Sequence, residues 1–309
     1  MSVDVGVDGG QSQVRLAVAG RDVISTSEGV AHTDGDTVGL LVDAIADAWS
    51  RSRQPGDNIG RIALGITTMP ADATTRENLS AAVAAATGAR EVWLAGDAVT
   101  AHAGALPAHH GIVLVVGTGI ACLAIDAESG RTRRVDGDGF LLGDHGASFW
   151  MGRRGISAAL ASVDGRGATT TLTAAAEQRF GNVDQLAATV HSLERPVNAV
   201  AQFAAVVQEH ARDGDEIAAR IVREAAAELV TTARAANAIF DFFPVPLAVL
   251  GRAAAPGTPL RLELEHLLDT ESGLVLVDAA GGALDGACDF AHNGAPAAYD
   301  QLISKWRRP

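Results

Sequence analysis

Two glycine segments in this sequence carry residue types suited to handling phosphate. The first consists of Asp8, Gly9, Gly10, Gln11 and Ser12. Adjacent glycines let a backbone approach a phosphate closely, and consecutive N–H groups form an anion-binding concavity. The aspartate before them could hold Mg²⁺ through water. Since Asp-Gly is also common in hairpin turns, a plain turn stays open as the alternative.

The second segment is Gly117, Thr118 and Gly119, which again follow an apolar run. Two glycine amides and a hydroxyl would suit a second phosphate loop, although an ordinary hairpin fits too. Neither segment is a Walker A motif, since GxxxxGK[ST] does not occur. A strand is predicted after each turn, which also argues against a dinucleotide-binding Rossmann motif.

Three further positions could contribute polar chemistry or a close backbone approach. Asp97 ends an apolar strand, where it could act as a general base, orient a hydroxyl, or cap the following helix. Asp144 lies between glycines and could accept a sugar hydroxyl, while the neighbouring His145 is a polar contact or a plain loop residue. Gly251 ends another strand, where it could face a nucleotide base or form a tight turn.

The elements that must position these residues follow from hydrophobic spacing. Strand, glycine turn and strand occur near the N-terminus and again about one hundred residues later, which suggests two related halves. Residues 36–53 and 75–87 have helical spacing, the latter with Thr74 or Thr75 as cap. A helical region follows residue 155, and the segment after Gly294 is predicted to be a terminal helix.

Composition excludes several classes of protein. The chain of 309 residues has a net charge of −13, which argues against a surface built for nucleic acid. No apolar run is long enough to span a bilayer, and the first residues do not form a signal peptide. Two cysteines, Cys122 and Cys288, cannot build a disulfide framework. We expect a cytoplasmic protein without nucleic-acid or membrane partners.

The ordered set of motifs DGGQS, GDAVTAHAGAL, GTG, LLGDHGASFWMGRRG, DGRGATTTLT and LAVLGRAA resembles the BadF/BadG/BcrA/BcrD ATPase family, in particular its N-acetylglucosamine kinase-like members. The resemblance covers nearly the whole chain. It implies an α/β fold of the actin, hexokinase and Hsp70 superfamily. In that fold, two ribonuclease-H-like domains enclose a nucleotide and sugar cleft. The implied boundaries are 1–106 plus the terminal helix 294–309 for one domain, and 107–293 for the other.

The resemblance also implies a role for each matching position. Both glycine segments would bind the phosphates of ATP, with Asp8 toward Mg²⁺, and Gly251 with Arg252 would form the adenosine loop. Asp97 would be the catalytic aspartate beside a sugar 6-hydroxyl. Thr118, Asp144 and His145 would contact the sugar. Ile120 and Ala121 stand where family members commonly have more polar residues.

The implied function is an ATP-dependent kinase that phosphorylates an amino sugar, N-acetylglucosamine or glucosamine, as a homodimer. Two other functions stay open at this point. One is an ATPase of the dehydratase-activator type, which would hold an iron–sulfur cluster through cysteines. The other is a sensor that binds sugar or nucleotide without turnover.

Overall fold

The computed structural model describes residues 1–30, 35–67, 69–269 and 273–309. The α/β class with two sheets, predicted from the sequence, is confirmed. The strands are β1 (Ser2–Gly9), β2 (Gln13–Val18), β3 (Ile24–Glu28), β4 (Asn58–Ile66), β5 (Glu91–Gly96), β6 (Gly111–Val116), β7 (Ile120–Asp126), β8 (Arg131–Val135), β9 (Val245–Leu250), β10 (Leu274–Val277) and β11 (Ile303–Arg307).

The α-helices lie between and after these strands. They are α1 (Thr37–Ser52), α2 (Ala73–Thr87), α3 (Asp97–Ala105), α4 (Ser148–Val163), α5 (Leu172–Phe180), α6 (Leu186–Ser192), α7 (Pro196–Arg212), α8 (Glu216–Asn237), α9 (Pro259–Asp269) and α10 (Ala283–Asn293). Asp72, rather than Thr74 or Thr75, caps α2, and its Oδ1 accepts the Thr75 N–H at 2.7 Å. Because α2 begins two residues earlier than predicted, the cap moves with it.

The two sheets repeat one strand order, as the duplicated glycine-turn pattern predicts. The first has the order β11-β5-β4-β1-β2-β3 and the second β10-β9-β6-β7-β8. In the first sheet β1 pairs antiparallel with β2 and parallel with β4, and β4 pairs parallel with β5. The carboxyl ends of β1, β4 and β5 therefore meet at one edge, where ligands collect in α/β proteins.

The chain divides into two compact units. The first contains residues 1–113, 125–132 and 278–309, and the second contains 114–124 and 133–277. The sequence placed residues 278–293 in the second domain, whereas α10 packs on β1 and α3 of the first unit. Glycine permits this packing, because a Cβ on Gly286 would overlap the Thr100 carbonyl oxygen of α3.

The predicted terminal helix is wrong. Residues Ala297–Leu302 form a short 3-10 turn, and the chain then continues as β11, antiparallel to β5. Burial alternates over the last four residues of β11, since Ser304 and Trp306 are half-buried while Lys305 and Arg307 are exposed, which is strand periodicity. Pairing with the edge of β5 satisfies the backbone of a segment too short for a stable free helix.

In the second unit, α4 packs closely on α7. A Cβ on Gly152 would overlap the Val200 carbonyl oxygen, and Gly155 faces Val207 and Phe203. This contact fixes the helix whose first residues lie against the second glycine segment. Within the described residues, no helix combines the length and apolarity that crossing a membrane requires.

Candidate active site

The first glycine segment forms a closed turn at the carboxyl end of β1. The Gly10 N–H donates to the Gln13 carbonyl at 3.0 Å, and the Gly10 carbonyl accepts the Val30 N–H at 3.3 Å. A Cβ on Gly9 would lie 2.9 Å from Ile66 Cγ2, so close packing requires this glycine. Predicted residues 8–12 therefore lie together at the strand edge.

Gly29 packs directly against the backbone of this loop. The sequence alone did not identify it as a site residue. A Cβ at Gly29 would overlap the Gln13 backbone nitrogen. The residue lies well outside any glycine motif, and only pairing of the chain segments brings it to the loop. Its signal in the sequence is a single Gly after the polar strand 24–28, which by itself indicates a turn.

Asp8 is ion-paired with Arg15, its cross-strand partner on β2. Arg15 Nε donates to Asp8 Oδ2 at 3.0 Å, and Nη2 contacts the same oxygen. Burial raises the pKa of Asp8, the Arg15 interaction opposes this rise, and the nearby charge of Asp97 adds to it. Arg15 thus brings a half-exposed guanidinium to the predicted phosphate loop, a role that the sequence analysis did not assign.

Asp97 lies at the same sheet edge, immediately after β5. Gly96 is the N-cap and Asp97 the first residue of α3, so the interpretation of Asp97 as the cap is wrong by one position. Its Oδ2 accepts the Thr67 hydroxyl at 2.7 Å, and its Oδ1 accepts the Ala98 N–H at 2.8 Å. Both oxygens are oriented, and the side chain stays partly exposed.

Thr67 joins this aspartate to the first loop. Its N–H donates to the Gly9 carbonyl at 3.1 Å, while its hydroxyl holds Asp97. The sequence offered only a polar residue after a buried strand as a signal. Thr67, which the sequence did not single out, therefore connects Asp97 to Gly9 at one edge of the first sheet.

In the second unit, Gly117–Gly119 form the hairpin between β6 and β7. The Gly117 N–H donates to the Gly119 carbonyl at 2.9 Å. The first residues of α4 bind the same loop, since the Ser148 N–H donates to the Gly117 carbonyl at 3.1 Å and the Phe149 N–H to the Thr118 carbonyl at 3.1 Å. The Thr118 side chain thus lies on a loop that a helix N-terminus holds in place.

Asp144 lies against this hairpin. Its Oδ1 accepts the Ile120 N–H at 3.2 Å, and a Cβ on Gly119 would overlap its Oδ2. Burial raises the pKa of Asp144, and the charges of Asp136 and Asp138 add to the rise. Its backbone is left-handed, with φ of 58°, and its N–H donates to Asp136 at 2.8 Å. Asp144 therefore supports the second glycine loop.

His145 and Arg252 are both exposed, and neither enters the core. His145 Nδ1 lies 3.8 Å from a carboxylate oxygen of Glu228 on α8. Arg252 begins the short turn after β9. Their side chains are therefore accessible to a bound molecule.

Gly251 immediately follows β9 and packs against the end of the neighbouring strand β6. Its φ is 106°, and a Cβ there would overlap the Val116 carbonyl oxygen. Both facts require glycine at this position. Residues 117–119, Asp144 and Gly251 thus lie together at one end of the second sheet.

The BadF/BadG/BcrA/BcrD ATPase family model matches residues 5–249 of this sequence. The chain belongs to this ATPase family. Over 245 residues it is 26% identical to the N-acetylmuramic acid/N-acetylglucosamine kinase of Clostridium acetobutylicum, covering 76% of this chain and 79% of that protein.

Solved structures show the same fold. A candidate N-acetylglucosamine kinase from Chromobacterium violaceum aligns with a TM-score of 0.73 at 23% identity, covering 92% of this chain and 96% of the other. A ROK family glucokinase from Streptomyces griseus, solved with glucose and AMPPNP, aligns with a TM-score of 0.59 at 19% identity, covering 94% and 100%. The two-domain fold expected from the resemblance is that of these proteins.

Both cysteines are free, with Cys122 buried and Cys288 partly buried. Burial raises the pKa of Cys122 to about 12 and that of Cys288 to about 11. Among the residues that the structure describes, no group of three His, Cys, Asp or Glu side chains is arranged to hold a metal ion.

Proposed function

We propose that this family member is an ATP-dependent carbohydrate kinase that phosphorylates an amino sugar, N-acetylglucosamine or glucosamine, on its 6-hydroxyl. The observation that carries the proposal is the partly exposed Asp97 carboxylate, held at the strand edge beside the first glycine loop. An acceptor hydroxyl next to Asp97 would lie close to a phosphate bound at that loop. The kinase name of the Clostridium relative supports the same reaction class.

Asp97 would orient the hydroxyl and accept its proton. Thr67 and the Ala98 N–H fix the two carboxylate oxygens, so the side chain needs little rearrangement before the reaction. Phosphoryl transfer demands positioning and charge neutralisation rather than covalent chemistry from the protein. One aspartate beside a phosphate loop would therefore be sufficient to orient the acceptor hydroxyl and accept its proton.

The two glycine loops would bind the triphosphate of ATP, and Gly251 with Arg252 would border its adenosine. Mg²⁺ would neutralise phosphate charge, with Asp8 holding it through water. The residues fit such a role, because Asp8 is a partly buried carboxylate that already pairs with a cation, the Arg15 guanidinium. Arg15 would add positive charge to the same loop. Asp144, Thr118 and His145 would contact the sugar.

The test is Asp97→Asn in a coupled ADP-release assay with Mg-ATP. A panel of hexoses and amino sugars would be compared with a control lacking sugar. Wild-type protein should release ADP only with an amino sugar, and the variant should lose about 10²–10⁴-fold in kcat. Nucleotide affinity and the unfolding midpoint of the variant should match wild type. Full turnover by Asp97→Asn would overturn the mechanism.

The same assay separates the alternatives. ADP release without sugar would indicate an ATPase, and ATP binding without any release would indicate a sensor. A homodimer in the cytoplasm belongs to the proposal as well. Sedimentation equilibrium would measure its mass, and a monomer at assay concentration would remove the dimer from the proposal.

A further inference from the structure

A pocket of about 250 Å³ opens in the first unit, on the side of the sheet covered by α1 and α2. Val38 and Leu41 of α1, Ile66 at the end of β4 and Leu79 of α2 give it an apolar wall. Gly9 forms part of the lining, and a Cβ there would point at Leu41 Cδ1 from 3.4 Å. The pocket therefore borders the beginning of the first glycine loop.

The pocket and Asp97 share one edge of the sheet. Ile66 lines the pocket and pairs in register with both Gly9 and Gly96. The next residue, Thr67, donates its hydroxyl to Asp97. A molecule lying across the carboxyl end of β4 would thus present one group to Asp97 and another to the apolar wall.

A hydrogen-bonded segment borders the outer side of the pocket. Residues 69–72 line it, and Arg76 holds them by donating to the Pro70 carbonyl at 2.9 Å and the Ala71 carbonyl at 2.6 Å. Ala71 is exposed at this rim. Part of the rim of the pocket is consequently backbone that Arg76 holds in place.

Polar groups at the rim define what the pocket accepts. The hydroxyl-bearing residues Thr37 and Thr75 line it, and both could contact an amide. Asp72 also lines it, and the Thr75 N–H and hydroxyl hold the pKa of this carboxyl below its usual range. Its negative charge at neutral pH opposes a second carboxylate nearby.

We propose that this pocket receives the N-acyl group of the acceptor sugar, and that it accepts neutral acyl chains longer than acetyl. The inference rests on the proposed kinase function and selects acylated over free glucosamine. An acetyl group adds only three heavy atoms. The volume of the pocket, in contrast, is several times the roughly 30 Å³ that one water molecule occupies in the liquid. Each added methylene that becomes buried should improve binding by about fourfold.

The experiment compares kcat/KM for glucosamine, N-acetylglucosamine, N-butanoylglucosamine and N-acetylmuramic acid. Wild type should use the butanoyl sugar at least as well as the acetyl sugar, and both better than glucosamine. Ala71→Phe should fill the rim and lower kcat/KM in proportion to chain length, by about tenfold or more for butanoyl. Ala73→Phe is the matched control, because Ala73 is exposed but does not line the pocket.

Asp72→Asn tests the charge. Asparagine also caps helices well, so α2 should persist. The preference for N-acetylglucosamine over N-acetylmuramic acid, whose lactyl group carries a carboxylate, should shrink about fivefold. If the ratio of kcat/KM for the two sugars is unchanged, the charge of Asp72 does not contribute to selectivity.

Two outcomes would contradict the proposed acyl-binding role of the pocket. One is rejection of N-butanoylglucosamine by wild type, and the other is an equal loss for all sugars in Ala71→Phe. If no sugar stimulates ADP release, the kinase function fails separately. Calorimetric titration with N-butanoylglucosamine then tests whether the pocket binds the acyl group. Binding that is lost in Ala71→Phe but kept in Ala73→Phe would support this role. No binding to wild type would refute it.

Discussion

The Thr67 hydroxyl donates to Asp97 Oδ2 at 2.7 Å, while the Thr67 N–H donates to the carbonyl of Gly9. One residue after β4 thus fixes the proposed catalytic carboxylate relative to the first glycine loop. Any displacement of Thr67 would change both the orientation of Asp97 and the position of the loop. Thr67 is therefore a positioning residue in the proposed reaction.

Thr67→Val should lower kcat by about tenfold, because one Asp97 oxygen loses its donor while the backbone contact to Gly9 persists. KM for ATP should stay within twofold of wild type. Thr67→Ser, which keeps the hydroxyl, should recover most of the rate. Steady-state kinetics of the three proteins measures this, and a Ser variant as slow as the Val variant would contradict the positioning role.

Arg15→Met should raise the pKa of Asp8 further, since burial already raises it and Arg15 opposes that rise. A pKa raised in the folded state means that stability is lost as pH rises above the unfolded value of about 4. The deficit of Arg15→Met relative to wild type should therefore grow from pH 4 to pH 7. Urea denaturation at several pH values measures it, with Arg15→Lys as the charge-keeping control. A difference in stability that does not change with pH would contradict the proposed effect of Arg15 on the pKa of Asp8.

Gly251→Ala should destabilise the protein by about 3 kcal/mol, because a Cβ would overlap the Val116 carbonyl at a left-handed φ of 106°. Gly257→Ala is the matched control. Gly257 also has a positive φ, 79°, but open space surrounds its Cβ position, so only about 1 kcal/mol should be lost. Chemical denaturation compares the stability of the two variants. Equal losses of stability would show that the overlap with the Val116 carbonyl oxygen costs no free energy.

His102 should make stability fall in mild acid. It is fully buried in α3, with Nε2 3.1 Å from the Gly111 carbonyl and Nδ1 2.8 Å from the Tyr299 hydroxyl. Since the carbonyl can only accept, Nε2 carries the proton and Nδ1 accepts from Tyr299. Burial lowers the pKa of His102 to about 4, and the nearby His109 and His110 lower it as well.

A depressed histidine pKa means that the unfolded chain binds the proton first. Stability should thus be full above pH 6.5 and fall by roughly 3 kcal/mol as pH drops toward 4. His102→Gln should be less stable at neutral pH but should show a flatter profile across this range. Thermal unfolding between pH 4 and 7 measures both, and parallel profiles would assign the acid sensitivity to other groups.

The sequence predicted the duplicated strand, glycine turn and strand pattern because apolar runs and paired glycines are local signals. It failed for residues 294–309, where a short segment with ambiguous spacing takes its structure from pairing with β5. Asp97 followed a buried strand and could therefore be placed at a sheet edge in advance. Arg15, Gly29 and Thr67 could not be selected, because their partners lie on other strands.

By itself, the sequence determined the α/β class, the two glycine loops and the acidic residues beside them, since each depends on neighbours along the chain. Only the tertiary structure decided that Asp8 pairs with Arg15 and that Asp144 supports residues 117–119. It alone also showed a pocket beside Gly9. These features depend on strand register and on burial, which arise when distant segments pack and remove carboxylates from water.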